Sequence, residues 1–276
     1  MKLTLGFSTC PNDTFIFDAI VNKRIDTEGL EFDILMADVE ELNRHAMENR
    51  IDITKLSYHA YAYVANNYVI FNSGSALGRG NGPLFVSKRK IYPDEVPFAT
   101  IAIPGQYTTA AFLLKIAYPN IKEPKEYLFS DIEDAVLSNE TDSGVLIHEG
   151  RFTYAKKGLR LICDLGAYWE QYSGKAIPLG CIAISRKIPT EIQQKFDRAL
   201  HRSVEFAVNN PMASHAFVKQ HAQEMDDEVM RKHIALFVNN YTIDLGHEGR
   251  KAIEFFLSEA NRLKIIDNIP KCLFVE

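Results

Sequence analysis

Proton chemistry has an obvious candidate in this chain: His148, which follows the apolar run Val145-Leu146-Ile147. Gly144 precedes that run, and a Glu149-Gly150 break follows the histidine. The run reads as a buried strand, so His148 falls on the lip where a strand passes into a loop. In open α/β sheets, ligands bind outside the carboxyl ends of the strands. An imidazole ordinarily titrates near ~6.5, which suits a general base at neutral pH. Position alone does not distinguish a base from a structural histidine.

Ser8, Ser57, Thr108 and Thr109 also fall at the ends of predicted strands, and after Ser57 and Thr109 the pattern turns helical. The first N–H groups of a helix lack intrahelical acceptors and carry partial positive charge, so they can hold a carboxylate or phosphate. Ser and Thr at these places serve equally well as ordinary N-caps. Trp169 and Tyr172 could wall an aromatic ligand or pack in a core. Other chemistries lack their signatures. No G-x-S-x-G elbow supports a Ser57–His148 hydrolase, no H-E-x-x-H is present, and the cysteines form no zinc pattern. His247-Glu-Gly-Arg250 repeats the tetrapeptide at His148, but it precedes a predicted helix. The segment from Ser73 to Pro83 matches neither common phosphate-binding glycine motif and reads as a turn-rich connection.

The elements that must position these residues alternate. Strands are predicted at Leu3–Ser8, Glu31–Leu35 and Ile51–Leu56. Helices are predicted near Thr14–Lys23, with Asn12 or Asp13 as N-cap, then at Val39–Glu48 and Tyr58–Ala65. After a linker-like stretch at Lys88–Pro97 comes a strand at Ala99–Ile103 and a helix from Ala110 to Tyr118. A helix at Ile132–Leu137, the His148 strand, a strand at Leu159–Asp164 and a return strand at Lys175–Ser185 follow. Beyond Pro189 the pattern is helical, opening on a capping-box-like Thr190-x-x-Gln193.

This βαβ order predicts an α/β protein with two lobes joined by a double crossover and a ligand cleft between them. Residues 1–92 and 186–276 would form the first lobe with the C-terminal helices, and 93–185 the second, inserted lobe. The 276 residues, 46% of them hydrophobic, suffice for two such cores. A net charge of −5 argues against nucleic acid or an anionic membrane as partner. No apolar stretch approaches the ~18 residues of a membrane span. The alternating N-terminus does not resemble a secretory signal, and Cys10, Cys163, Cys181 and Cys272 are scattered. A reduced, cytoplasmic setting is expected, with a monomer and a homodimer both compatible.

Five motifs carry a resemblance. Ser8-Thr-Cys-Pro-Asn-Asp-Thr-Phe-Ile-Phe17, Thr54-Lys-Leu-Ser-Tyr58, Ser75-Ala-Leu-Gly-Arg-Gly80, Thr108-Thr109-Ala110 and Ile147-His-Glu-Gly-Arg-Phe-Thr-Tyr154 occur in that order. Together they resemble the 1,4-dihydroxy-6-naphthoate synthase family of the futalosine route to menaquinone. The resemblance implies a fold like the type 2 periplasmic binding proteins. It implies a lyase that converts cyclic dehypoxanthinyl futalosine to 1,4-dihydroxy-6-naphthoate without metal or organic cofactor. The family's proton acceptor falls on His148, and its substrate contacts on Lys55, Leu56, Ser57, Thr109 and Ala110. Ser8, Asn12, Thr108 and Trp169 are expected to line the cleft around a small anionic substrate. A chorismate-acting sibling enzyme, a chorismate dehydratase, and a non-catalytic solute-binding protein share the expected fold.

Overall fold

Residues 2–148, 150–222 and 226–276 are described by a computed structural model. In chain order the elements begin with β1 (Lys2–Phe7), α1 (Pro11–Val21), β2 (Glu31–Met36), α2 (Val39–Met47), β3 (Ile53–Ser57), α3 (Tyr58–Val64), β4 (Tyr68–Ile70) and β5 (Ala76–Gly78). Next come β6 (Leu84–Ser87), β7 (Ile101–Ile103), α4 (Thr109–Ala117), β8 (Lys125–Glu126), α5 (Ile132–Leu137), β9 (Ser143–Leu146), α6 (Gly150–Thr153), β10 (Arg160–Asp164) and α7 (Leu165–Ser173). The chain closes with β11 (Ile177–Ser185), α8 (Thr190–Asn209), α9 (His215–His221), α10 (Asp227–Phe237), α11 (Asn240–Ile243) and α12 (Gly246–Arg262).

Two compact units result. The first joins Met1–Gly78 to Pro178–Glu276, and the second is Arg79–Ile177. Both crossings lie upstream of the boundaries expected at 92/93 and 185/186. The first moves because Leu84–Ser87, hidden behind the glycine-rich stretch, is a strand of the second sheet. The second moves because β11 pairs along its length with β3 and β4 of the first. Segment 88–97 is therefore part of the second unit and no linker.

In the first unit the strands run β2-β1-β3-β11-β4, with β5 on β11. β1 is parallel to β2 and β3, whereas β11 is antiparallel to β3. The carboxyl ends of β1 and β3 and the beginning of β11 therefore share one sheet edge, where Ser57 stands opposite Gly180. Leu3, Leu5 and Phe7 alternate into a core with Phe15, Phe17, Phe196 and Leu200. Phe7 and Phe17 stack at 4.5 Å.

Helix α1 is buried from Pro11 to Ile20, as expected of a helix with apolar residues on every side. Its start corrects the sequence reading. Cys10, extended at φ −61° and ψ 145°, is the N-cap and Pro11 opens the helix, so Asn12 and Asp13 lie in the first turn. Proline is well suited to that opening position because it lacks the N–H that would be unpaired there. The box at Thr190 is also absent: Pro189 caps α8, and Gln193 Nε2 donates to Ile188 O at 2.8 Å.

The second unit's sheet runs β10-β6-β9-β7-β8. β9 is parallel to β7 and antiparallel to β6, which is antiparallel to β10. Leu84 faces both Leu146 and Asp164 in register. One edge thus gathers the beginning of β6 and the carboxyl ends of β7, β9 and β10. Leu84, Val86, Ala102, Ile132, Val136, Leu146 and Leu159 fill the core behind it.

Candidate functional site

At the first unit's edge the polar side chains bind one another. Lys55 interrupts the otherwise neutral strand Ile53-Thr-Lys-Leu-Ser57, and it is only 6% exposed. Its ammonium forms an ion pair with Asp13 Oδ1, and Asp13 is 1% exposed. Three more donors reach that carboxylate: Ser8 Oγ at 2.7 Å, Ser8 N–H at 3.3 Å and Asn12 Nδ2 at 2.8 Å. The Asp13 carboxylate, buried as it is, thus accepts from three neighbouring groups besides pairing with Lys55. Room for the lysine stem comes from Gly180 across the sheet, where a Cβ would lie 2.9 Å from Lys55 Cε.

The network continues inward. Since Asn12 Nδ2 donates to Asp13, its Oδ1 accepts from His233 Nε2 at 2.9 Å, which sets the proton of this fully buried imidazole on Nε2. His233 was not singled out in the sequence, where it stands 221 residues from Asn12.

Ser57 caps α3 by position, as expected, without a side-chain cap hydrogen bond. Its backbone N–H, however, donates to Asn43 Oδ1 at 3.0 Å, while Asn43 Nδ2 donates to Ser57 Oγ at 3.3 Å. The expectation that this amide would hold a substrate anion is corrected: Asn43 occupies it. Asn43 cannot act as a base, so it does not activate Ser57 as a nucleophile. Leu56, fully buried, points away from solvent. Cys181, opposite Leu56, has its thiol pushed far up by burial and is no thiolate at neutral pH.

The second unit's edge is built differently. Thr108 caps α4: its Oγ1 accepts from Ala111 N–H at 3.2 Å and donates to Gly105 O at 2.8 Å. Thr109 and Ala110 occupy the first two helical positions, whose N–H groups have no acceptor within a helix. His148 lies two residues past β9, half-buried, with φ at 55°. That left-handed conformation is uncommon outside glycine, although Asn, Asp and His adopt it more readily than most. It bends the chain so that the imidazole meets Phe129 edge-on, with ring centroids 4.8 Å apart.

Arg151, in α6, fastens the loop before β6. Its guanidinium donates to Gly80 O at 3.0 Å and to Gly82 O, and it lies 3.7 Å from Asp164. Asp164 caps α7 by accepting from Gly166 N–H at 2.9 Å and Ala167 N–H at 3.0 Å. Gly82 and Gly166 meet backbone to backbone: a Cβ on Gly82 would lie 2.3 Å from Gly166 Cα. Trp169 is fully buried, with its N–H donating to Ala176 O at 3.2 Å, and Phe112 packs against it. It belongs to the core, which corrects its expected place in a cleft lining. Ser8, Asn12 and Thr108 are likewise buried in hydrogen-bonded structure.

The sequence reading missed Asp13 as the counter-ion of Lys55, and also Asn43, Gly180, Phe129 and Arg151. One signal was available: a lysine inside a short strand of otherwise uncharged residues needs a partner if it is buried.

Among the described residues no helix is long and apolar enough to cross a membrane, and no three His, Cys, Asp or Glu side chains are grouped to hold a metal ion.

Two sheets with this discontinuous connectivity place the chain in the periplasmic-binding-protein-like fold. The alkanesulfonate-binding protein of Xanthomonas axonopodis pv. citri, bound to MOPS, matches with a TM-score of 0.71 at 13% identity, covering 99% of this chain and 96% of that one. The chain belongs to the menaquinone biosynthesis family, whose model matches residues 3–262. It is 41% identical to the 1,4-dihydroxy-6-naphthoate synthase of Thermus thermophilus over 99% of each chain. To the enzyme of the same name from Streptomyces coelicolor it is 36% identical, over 94% of this chain and 92% of that one. A crystal structure of an Archaeoglobus fulgidus protein superposes with a TM-score of 0.90 at 35% identity, covering 96% of this chain and 98% of that one.

Proposed function

We propose that this protein is a carbon–carbon lyase converting cyclic dehypoxanthinyl futalosine to 1,4-dihydroxy-6-naphthoate, with His148 as the general base. The observation that carries the reading is the full-length match, at 41% identity, to an enzyme with this product in its name. His148, at a strand's carboxyl end, supports it: an imidazole there can take a proton from the sugar-derived portion of a bound substrate. Departure of that proton lets the carbon–carbon bond break toward an aromatic product, and aromatisation supplies driving force of its own. The α4 amides at Thr109 and Ala110 suit an anionic or hydroxyl group, and the Lys55 ammonium suits a carboxylate.

The test is incubation of the purified protein with cyclic dehypoxanthinyl futalosine, followed by absorbance and mass of the naphthoate. Product at a rate that depends on enzyme concentration is expected. Turnover of chorismate in the parallel arm, with none of the futalosine, would transfer the assignment to the sibling dehydratase. Tight binding of the futalosine without conversion would make the protein a solute-binding protein.

A further inference from the structure

Asn81 is 2% exposed, yet neither its Nδ2 nor its Oδ1 meets a hydrogen-bond partner among the described residues. Folded proteins pair nearly all buried polar groups, so such an amide calls for a cause. Support of the loop is not that cause, because the main chain on either side is held by other groups. Gly80 N–H donates to Glu170 Oε1 at 2.7 Å, and Arg151 binds the carbonyls of Gly80 and Gly82. Leu165 N–H donates to Pro83 O at 3.0 Å. An alanine or leucine would sit among these anchors with less desolvation cost than asparagine.

Register supplies the other half. Leu84 pairs with Leu146, so Asn81, three residues before Leu84, and His148, two residues after Leu146, extend from the same sheet edge, just beyond the ends of the adjacent strands β6 and β9. The carboxyl end of β7, leading to Thr109, shares that edge. A primary amide presents two N–H donors beside one carbonyl acceptor. That set matches a group that both donates and accepts, a hydroxyl above all, better than a bare anion.

We propose that Asn81 is a substrate-contacting residue of the second unit that pairs with a hydroxyl group beside the His148 base. The proposal rests on the function put forward above, whose substrate carries hydroxyls on its sugar-derived ring. Its test is Asn81→Ala and Asn81→Leu, each examined by steady-state kinetics with cyclic dehypoxanthinyl futalosine and by thermal melting without substrate. KM should rise about tenfold in both, the loss expected of one neutral hydrogen bond, while Tm stays level or rises. Unchanged KM in both variants would overturn the proposal. So would a Tm several degrees lower in both, since the amide would then be supporting the fold. A wild-type enzyme inert toward the futalosine would instead overturn the functional reading and remove this substrate from Asn81 with it.

Discussion

At the first unit's sheet edge, polar side chains bind one another, whereas at the second unit's edge they chiefly fasten backbone, Thr108 binding Ala111 N–H and Gly105 O and Arg151 the carbonyls of Gly80 and Gly82. Asp13, Lys55, Asn12 and Ser8 form a buried network around one carboxylate, and Asn43 holds Ser57 through both its N–H and its hydroxyl. His148 instead stands half-buried on a left-handed turn, and Arg151 binds carbonyl oxygens. A charge buried beside its counter-ion is held in one position, which suits fixed recognition of an anion. His148, beyond the carboxyl end of β9, stands where the proposed proton transfer needs a base. The function proposed above would place anion recognition at the first edge and proton transfer at the second.

The sharpest way to break that division is His148→Asn. Asparagine tolerates the left-handed backbone, so the fold should persist while turnover falls by about 10²–10⁴-fold. Naphthoate formation and a melting curve on the same sample decide it, and near-normal turnover would move the base elsewhere. Asp13→Asn comes next. It leaves the Lys55 ammonium buried without a counter-charge and should cost roughly 3–5 kcal/mol in urea denaturation. Lys55→Met should cost less stability, because the Asp13 carboxylate keeps three other donors, yet it should still weaken substrate binding. Equal losses in the two variants would show that the network is not asymmetric in this way.

Gly82→Ala tests the second edge through its backbone. The new Cβ would meet Gly166 Cα, and overpacking of this kind costs about 1–3 kcal/mol by the same denaturation measurement. The smallest effect belongs to a cluster of three charges in the first unit. Arg198 and Arg202 hold Glu28 well below the ordinary carboxylate range, at about 2. A depressed folded-state pKa gives stability that is complete above the unfolded value near 4.5 and is lost as pH falls through about 2. Glu28→Gln should therefore cost no more than about 1 kcal/mol at pH 7, and the two proteins should converge below pH 2.

The sequence made some of this legible and hid the rest for definite reasons. Leu3, Leu5 and Phe7 alternate, so β1 could be read from periodicity alone, and Val145-Leu146-Ile147 announced the strand before His148. β6 has four residues and follows Gly80-Asn-Gly-Pro83, which reads as a turn. Missing it displaced the first crossing. Lys55 and Asp13 lie 42 positions apart, and no local spacing connects them. Ser57 was recognised as a helix start, but the side chain that occupies its amide comes from α2, a different helix. Periodicity reports which face is buried. It does not report which polar groups meet there.

The contact between Gly82 and Gly166 has a consequence for anyone who redesigns this enzyme. Two main chains that touch without side chains form a single part made from two distant stretches of sequence. A loop taken from a relative for residues 80–83 will seat only if the 164–166 turn comes with it. Substitution at either glycine drives a side chain into the other's backbone, and movement of Ile177, the one side chain beside them both, would not relieve that clash. Libraries aimed at altering specificity near His148 should hold both positions constant and vary the residues on either side.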